Sequence, residues 1–404
     1  MGRIYSEAEL VIIAAAGDSS DYGLPGVGMK ARKVQKRIQP ENDVEIIEMN
    51  EPDQELSTVT WAQRGWTHQE GYLATRRLVF TDKEVLYVCN QGAWQESVQR
   101  PAMENGGHYL TMANQCFPRT AIFPYNRLST VHAFLTNYSG RKLSYDSDIL
   151  NACIGVLNKL VNHYHFWGMA APRLVAERST SLSLEWYSWN PGQRREGFPS
   201  WSWVATTGPK SISGCRERPH EGYVACIRTT HERWLPPHEQ TESRCDPLPM
   251  NFGPTLRLRA PLYTASLSTD VKYEKRKDCG KASDNRPLVI FQSTDGDYNE
   301  IEVVSRLCLD TELTESEMKT TVRAVLVAGS TREDRDMAAY SDDNPVFMIL
   351  QAVGGHHKRI GITDHGDGGC WMLEKRTGAV RVKDDDTILL YDDCRGSEQF
   401  IYIE

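Results

Sequence analysis

The order of hydrophobic and polar positions divides the chain into three patterns. Near the start, Leu10-Val11-Ile12-Ile13-Ala14-Ala15-Ala16 is a continuous apolar run closed by Gly17 and Asp18, the pattern of a buried strand. Such a strand needs neighbours on both sides, so either its partners come from downstream or part of a domain is missing. Trp66, Glu70 and Leu73, spaced i, i+4, i+7, predict a helix over Val59–Ala74 that Ser57 or Thr58 can cap. Two short strands are expected next, Arg77–Thr81 and Val85–Cys89, with Asp82-Lys83-Glu84 turning between them. Between the leading strand and the helix, Gly23-Leu24-Pro25-Gly26-Val27-Gly28 reads as a turn-rich loop and Pro40–Gln54 as an exposed acidic excursion.

The middle of the chain changes to helical spacing. Leu150, Cys153, Ile154, Leu157, Leu160 and Val161 form an apolar stripe, which predicts a helix over Ile149–Tyr164 with Asp148 as its cap. A second helix is expected over Thr180–Ser188, ended by Asn190-Pro191-Gly192. From Gly222 onward the period becomes two. Thr255-Leu256-Arg257-Leu258-Arg259-Ala260 alternates strictly. Further strands are expected at Leu288–Gln292, Val322–Ala328, Pro345–Val353, Lys358–Thr363 and Thr387–Tyr391, separated by polar loops at Lys272–Arg286 and Gly329–Asn344. The fold class is therefore α+β: a partial α/β N-terminal piece over 1–95, a helical middle region over 96–215, and an antiparallel β-rich C-terminal region over 216–404.

Composition narrows the function classes. A length of 404 residues predicts two or three domains at ~100–200 residues each. Hydrophobic residues at 40% and charged residues at 25% exclude a wholly disordered or collagen-like chain. The balance of 46 Lys+Arg against 54 Asp+Glu gives −8, which argues against a dedicated nucleic-acid binder. No apolar run approaches the ~20 residues that span a bilayer. Leu10–Ala16 is also too short, and too acidic just before it, for a signal peptide. The expected location is intracellular and cytoplasmic, with no membrane span. The 10 cysteines stand alone with no Cys-x-x-Cys pair, so reduced thiols are expected and neither a zinc ribbon nor a redox motif is supported.

Two stretches are more specific than composition. Trp61-Ala62-Gln63-Arg64-Gly65-Trp66-Thr67-His68-Gln69-Glu70, followed by Arg76-Arg77-Leu78-Val79-Phe80, resembles the closing block of the fungal heterokaryon-incompatibility (HET) domain, approximately R-x-W-T-x-Q-E, a gap, then R-x-L-x-F. Upstream, Ile4-Tyr5-Ser6-x-Ala8-Glu9-Leu10 and Gly23-Leu24-Pro25-Gly26 resemble the segments before that block. Downstream, Phe198-Pro199-Ser200-Trp201-Ser202-Trp203 resembles a P-S-W-S-W block that often follows in these fungal proteins. Ser147–Ala152, Thr255–Pro261 and Arg359-Ile360-Gly361 resemble the family's later segments. The blocks L-S-Y-x-W-G and W-I-D-x-L-C-I, with which the domain normally begins, are not found. The resemblance thus implies an N-terminally truncated HET domain over residues 1–95. It further implies a role in nonself recognition and regulated cell death through protein interaction. The family has been likened to TIR-type folds, so the resemblance also implies an alternative: an NAD- or nucleotide-hydrolysing enzyme using Glu70. An inactive fragment is a third outcome.

Candidate site residues follow from these blocks. Glu70 could act as general acid/base, with Trp66 as a stacking surface and Arg64 holding an anionic group. The simpler role is structural: Trp66 packed on a sheet, Arg64 and Glu70 tying helix to loop. Trp201 and Trp203 would share one face of an extended segment and serve as structural anchors. The glycine loop fits neither a dinucleotide fingerprint nor a Walker motif. His163-x-His165 and His356-His357, even with Asp364, His365 and Asp367, lack zinc spacing, so no metal is expected. No cofactor is expected, and the partner is a protein rather than a nucleic acid.

Overall fold

The computed structural model describes residues 2–34, 36–39, 46–47, 56, 58–89, 92–96, 127–160, 165–170, 182, 184–212, 224–229, 234–235, 252–260, 262–269, 286–294, 300–328, 346–363, 371–374, 380–381 and 400–404. The fold is α+β, and the chain divides into two compact units, Met1–His163 and Tyr164–Glu404.

In the first unit a four-stranded sheet takes the order β1 (Val11–Ala14), β2 (Arg76–Phe80), β3 (Val85–Cys89), β4 (Gly92–Gln95). β1 runs parallel to β2 and the other pairs are antiparallel. Among the described residues the α-helices of this unit include α1 (Gly2–Glu7), α2 (Thr60–Gln63), α3 (Thr67–Leu73), α4 (Arg127–Ser139) and α5 (Ile154–Leu160). One sheet face supplies Val11, Ile13, Val79, Leu86 and Val88 to a core with Leu56, Trp61, Ala62 and Ala74.

Three sequence expectations change here. The leading apolar run is not buried throughout: β1 alternates buried Val11 and Ile13 with exposed Ile12 and Ala14. The reason is its place at the sheet edge, where the downstream strand β2 is its one partner among the described residues. The helix expected over Val59–Ala74 is broken at Arg64-Gly65-Trp66. There the Gly65 N–H donates to the Lys142 carbonyl at 2.8 Å and the Lys142 N–H to the Gln63 carbonyl at 2.6 Å, which replaces helical bonds with a bridge to a second segment. A Cβ on Gly65 would lie 2.5 Å from the Leu143 side chain, so a glycine permits this approach. The helix expected from Ile149 starts only at Ile154, after a 3₁₀ turn over Asp146–Ile149.

In the second unit the expected helix over Thr180–Ser188 is not formed at its described end; Trp186–Tyr187 pairs as a strand with Ser211–Ile212. The β-rich region is antiparallel except at one pair, where Phe400–Ile403 runs parallel to His356–Thr363. Leu262–Ser268, Leu288–Thr294, Glu300–Leu309, Thr321–Ala328, Val346–Val353 and His356–Thr363 pair in a ring, closed where Leu307–Leu309 meets Gly361–Thr363. Closure removes the free edges of those strands. Tyr263, Phe291 and Phe347 fill the interior, with ring centroids 5.4 and 4.9 Å from Phe347. At the seam a Cβ on Gly361 would lie 2.4 Å from the Cys308 carbonyl oxygen, so a side chain there would force the two strands apart. Phe400–Ile403, Phe252–Arg259, Val224–Thr229 and Trp234–Leu235 extend the sheet beyond His356–Thr363. The expected strand Thr387–Tyr391 lies outside the described residues.

His68, on α3, is fully enclosed by aromatic rings: Phe134 stacks at 4.9 Å and Tyr138 at 5.8 Å. Neither ring nitrogen has a hydrogen-bond partner among the described residues. Burial, reinforced by Arg141, holds its pKa well below the ordinary histidine value, and burial lowers that of His132 to about 4. The unfolded chain takes up these protons near pH 6.5, whereas the folded unit does so only at lower pH. Stability is therefore complete above about pH 6.5 and falls as pH drops from there toward 4, by on the order of 2 kcal/mol at pH 5 for His132. Thermal denaturation of His68→Phe should show a higher midpoint than wild type at pH 5 and a shallower pH dependence. An unchanged slope would mean that His68 does not titrate with unfolding.

Candidate functional site

Glu70 sits in the first turn of α3 and is half-buried. Both of its carboxylate oxygens are engaged. The Tyr5 hydroxyl donates to Oε1 at 3.1 Å and the Trp61 indole N–H to Oε2 at 3.1 Å. Burial, together with the nearby Glu70 carboxylate that accepts its proton, pushes the Tyr5 phenol up to about 12, so this hydroxyl stays protonated and donating. The bond joins α1 to α3, 65 residues apart in sequence.

The other two candidates point elsewhere. Trp66 is half-buried and its indole N–H donates to Asp148 Oδ2 at 3.3 Å. Arg64 is exposed; its carbonyl accepts from Thr67 Oγ1 at 2.8 Å and from the Arg141 guanidinium at 3.3 Å. Arg64, Trp66 and Glu70 thus share one short segment but engage different neighbours. The next pair of cations in the motif, Arg76-Arg77, separates in the same way. Arg76 is exposed, whereas Arg77 is buried and its guanidinium donates to the carbonyls of Gly71 and Tyr72, closing the C-terminal turn of α3. Desolvation lowers the Arg77 pKa to about 10.

The glycine loop after β1 is held by its own turns. Gly26 N–H donates to the Lys30 carbonyl at 2.7 Å and Val27 N–H to Leu24 at 3.1 Å. Its cations are committed as well: Lys30 lies 3.5 Å above the Tyr22 ring, Arg32 pairs with Glu96 at 2.6 Å, and Lys33 pairs with Asp82.

In the second unit Trp201 and Trp203 are buried, 0% and 1% exposed. They do not lie on one face of an extended strand. Ser202 caps a 3₁₀ turn over Trp203–Ala205, so the two indoles diverge. Trp201 donates to the Pro254 carbonyl at 2.7 Å and Trp203 to the Gly168 carbonyl at 3.0 Å. Ser202 Oγ donates to the Trp167 carbonyl, and Ser200 Oγ donates to the Glu404 carbonyl while accepting the Arg359 N–H at 3.0 Å. Arg359 is the centre of this cluster. Its guanidinium meets Asp310 at 2.9 Å, donates to the carbonyls of Leu184 and Trp186, and stacks 3.6 Å from the Trp186 ring centroid. Burial pushes the Asp310 carboxyl up against the opposing pull of Arg359, and burial lowers the nearby Lys210 ammonium to about 8.

Of the histidines, His356 lies 3.6 Å from Glu404 and edge-on to Tyr402, while His165 is buried, its pKa lowered to about 4 by desolvation. His163, Asp364, His365 and Asp367 lie outside the described residues. Among the described residues no group of three His, Cys, Asp or Glu side chains could hold a metal ion, and no helix is long and apolar enough to cross a membrane.

Residues 1–70 match the family model described as Heterokaryon incompatibility protein (HET). The match runs from Met1 to Glu70, so both partners of the Tyr5–Glu70 bond lie within it. It agrees with the resemblance carried by Ile4–Leu10 and Trp61–Glu70, while the Phe198–Trp203 block lies beyond the matched residues. No curated protein and no solved structure matches the chain. Sequence reasoning named Glu70 without naming Tyr5 as its partner, although Ile4-Tyr5-Ser6 carried part of the HET resemblance. It missed Asp310 altogether: a lone aspartate after a strand has no local signal of its ion pair.

Two stability tests follow. Trp201→Ala should lower the stability of the second unit by roughly 3–5 kcal/mol, the usual cost of deleting a buried large aromatic. A chemical-denaturation midpoint equal to wild type would contradict the burial. Asp310→Ala should cost roughly 3–5 kcal/mol by leaving Arg359 buried and unpaired, whereas joint replacement, Asp310→Leu with Arg359→Met, should cost less than the sum of the single changes. Additive losses would show that the two charges are not coupled.

Proposed function

We propose that this chain is a fungal heterokaryon-incompatibility-type protein linked to nonself recognition and regulated cell death, and that it acts in the cytoplasm through contact with a protein partner. The HET match over residues 1–70 supports the family part of this reading. The observation that favours interaction over catalysis is the state of Glu70. A general base needs a lone pair aimed at the proton it takes. Here each carboxylate oxygen already accepts a hydrogen bond from a side chain of its own unit, which orients the carboxylate toward Tyr5 and Trp61 and leaves one lone-pair site on each oxygen. Arg64 and Trp66, by contrast, offer an exposed guanidinium and a half-exposed indole at the turn between α2 and α3. Arginine and tryptophan are the side chains that most often carry binding energy at protein interfaces.

The reading separates from NAD hydrolysis by a direct assay. Purified protein incubated with NAD should release no nicotinamide above a buffer blank, and Glu70→Gln should lower the melting temperature by weakening the α1–α3 tie. Nicotinamide release by the wild type that is lost in Glu70→Gln would overturn the interaction reading in favour of an enzyme. For the cell-death part, induced expression of the full chain in a fungal host should reduce viability, and Arg64→Glu with Trp66→Ala should relieve that reduction. Unimpaired growth with abundant folded protein would overturn it.

A further inference from the structure

In the β-rich unit, arginines and aromatic rings face each other across neighbouring strands of one sheet. Residues directly opposite in an antiparallel ladder project from the same face. Arg228 is opposite Trp234, Arg257 opposite Tyr402 and Arg259 opposite Phe400. Arg257 is also opposite Cys226, two residues before Arg228, so the three pairs belong to one face. An arginine thus meets a ring three times over four strands. Leu256, Leu258, Ile401 and Ile403 alternate with these residues on the other face and are buried.

Contact between the side chains adds a second observation. The Arg257 guanidinium lies 5.1 Å from the Trp234 ring centroid and 4.5 Å from that of Phe400. The Trp234 and Tyr402 rings meet at 5.6 Å, nearly edge to face. Trp234 therefore reaches across Val224–Thr229 to touch the next two strands. The layer is also accessible: Phe400 is 45% exposed, Arg228 is exposed, and Arg257, Arg259, Tyr402 and Trp234 are half-buried. Stacking between two rings fixes the Arg257 head group before a ligand arrives, which lowers the ordering cost of binding. Glu404, a carboxylate on the same face, is met by Thr255 at 3.2 Å and His356 at 3.6 Å.

We propose that this face binds single-stranded nucleic acid, with phosphates on the arginines and bases stacked on the rings. The pairing of groups selects the ligand. An acidic peptide offers anions but nothing planar for Phe400. A nucleic-acid strand carries one phosphate and one planar base on every unit, the same two complements that each arginine–ring pair calls for. Bases stack on aromatic side chains and on guanidinium planes with little regard to sequence. A duplex keeps its base faces within its own stack, so the strand must be single. A guanidinium has five donors in a fork, enough to take a phosphate while holding a protein partner. The net charge of −8 argues against a dedicated nucleic-acid binder, but it averages over 404 residues, whereas contact affinity depends on the local cluster. The site lies beyond the residues that match the HET model and does not depend on the interaction reading given to them.

Fluorescence anisotropy of the full chain with a labelled oligo-dT of about 15 nucleotides should show saturable binding. The logarithm of the affinity should fall linearly with that of the salt concentration between about 50 and 200 mM. Arg228→Gln, at an exposed position, should leave the melting temperature unchanged and reduce that slope by about 0.7, the value for one phosphate contact on a single strand. Phe400→Leu should weaken binding about tenfold, whereas Phe400→Tyr, which keeps a ring, should stay within about threefold of wild type. No saturable binding at the lower salt overturns the proposal. So does Phe400→Leu binding as tightly as wild type, or Phe400→Tyr losing as much as Phe400→Leu. Poly-glutamate competing as well as unlabelled oligo-dT overturns it in favour of an acidic polypeptide. None of these results bears on the NAD assay or on viability, so failure here is distinguishable from failure of the proposed function.

Discussion

Arg359 carries its charge where water does not reach, and its donors must therefore be met by protein. Asp310 takes the guanidinium, the carbonyls of Leu184 and Trp186 take more of it, and its flat face lies on the Trp186 ring. The consequence extends well beyond one residue. The segment around Trp186 and the Pro199–Ala205 turns are buried without long ladders, so their backbone groups need partners from side chains. Arg359 supplies them from one direction. From the other, Ser200, Ser202 and the indole N–H groups of Trp186, Trp201 and Trp203 reach carbonyls of neighbouring segments. Cations close by do the same: Arg195 donates to the carbonyls of Val204 and Thr206, and Lys210 to that of Thr207. A buried irregular segment is stable here because charged and indole donors stand in for the ladder it lacks.

Arg359 reaches this position because its strand is irregular. The pairing of Val346–Val353 with His356–Thr363 shifts between Ile349 and Leu350, opposite Gly361 and Arg359, which leaves Ile360 as the extra residue. Ile360 turns into the ring's interior, and the Arg359 N–H, released from the ladder, donates to Ser200. One bulge thus fills the core, frees a donor and aims a guanidinium. Gly361 completes the arrangement by allowing the neighbouring strand to approach at the seam.

Legibility in the sequence tracked the range of the interaction that decides each element. The strand pair Arg76–Phe80 and Val85–Cys89 could be read because alternation and a local turn specify it. Most of the β-rich region could be read for the same reason. The helix over Val59–Ala74 could not, since its break depends on Lys142 and Leu143, far along the chain. The Thr180–Ser188 expectation failed at Trp186, whose strand conformation depends on Ser211–Ile212 and on Arg359. Residue types at the sites were visible as motif members; their partners were not. Glu70 stood out within its block, yet nothing local indicates that Tyr5 and Trp61 would occupy both of its oxygens. Arg359-Ile360-Gly361 stood out as a block too, but a bulge and its distant aspartate leave no periodic trace.

The two matched ends of the HET segment meet in a single hydrogen-bonded cluster, and this bears on how a motif should be weighed. Tyr5 and Glu70 lie near opposite ends of the residues that match, with β1 and the glycine loop between them. A carboxylate placed at such a junction satisfies a packing need first. It gives a buried indole N–H and a phenol an acceptor that they would otherwise lack, at a cost of about 1–3 kcal/mol for each donor left unmet. Selection for that alone would retain Trp61, Glu70 and Tyr5 together. Catalysis would require something further: a lone pair of that carboxylate aimed at a bound substrate, beyond the two that Tyr5 and Trp61 already occupy. An interaction role makes no demand on the carboxylate, because the side chains it would use are the exposed Arg64 and the half-buried Trp66.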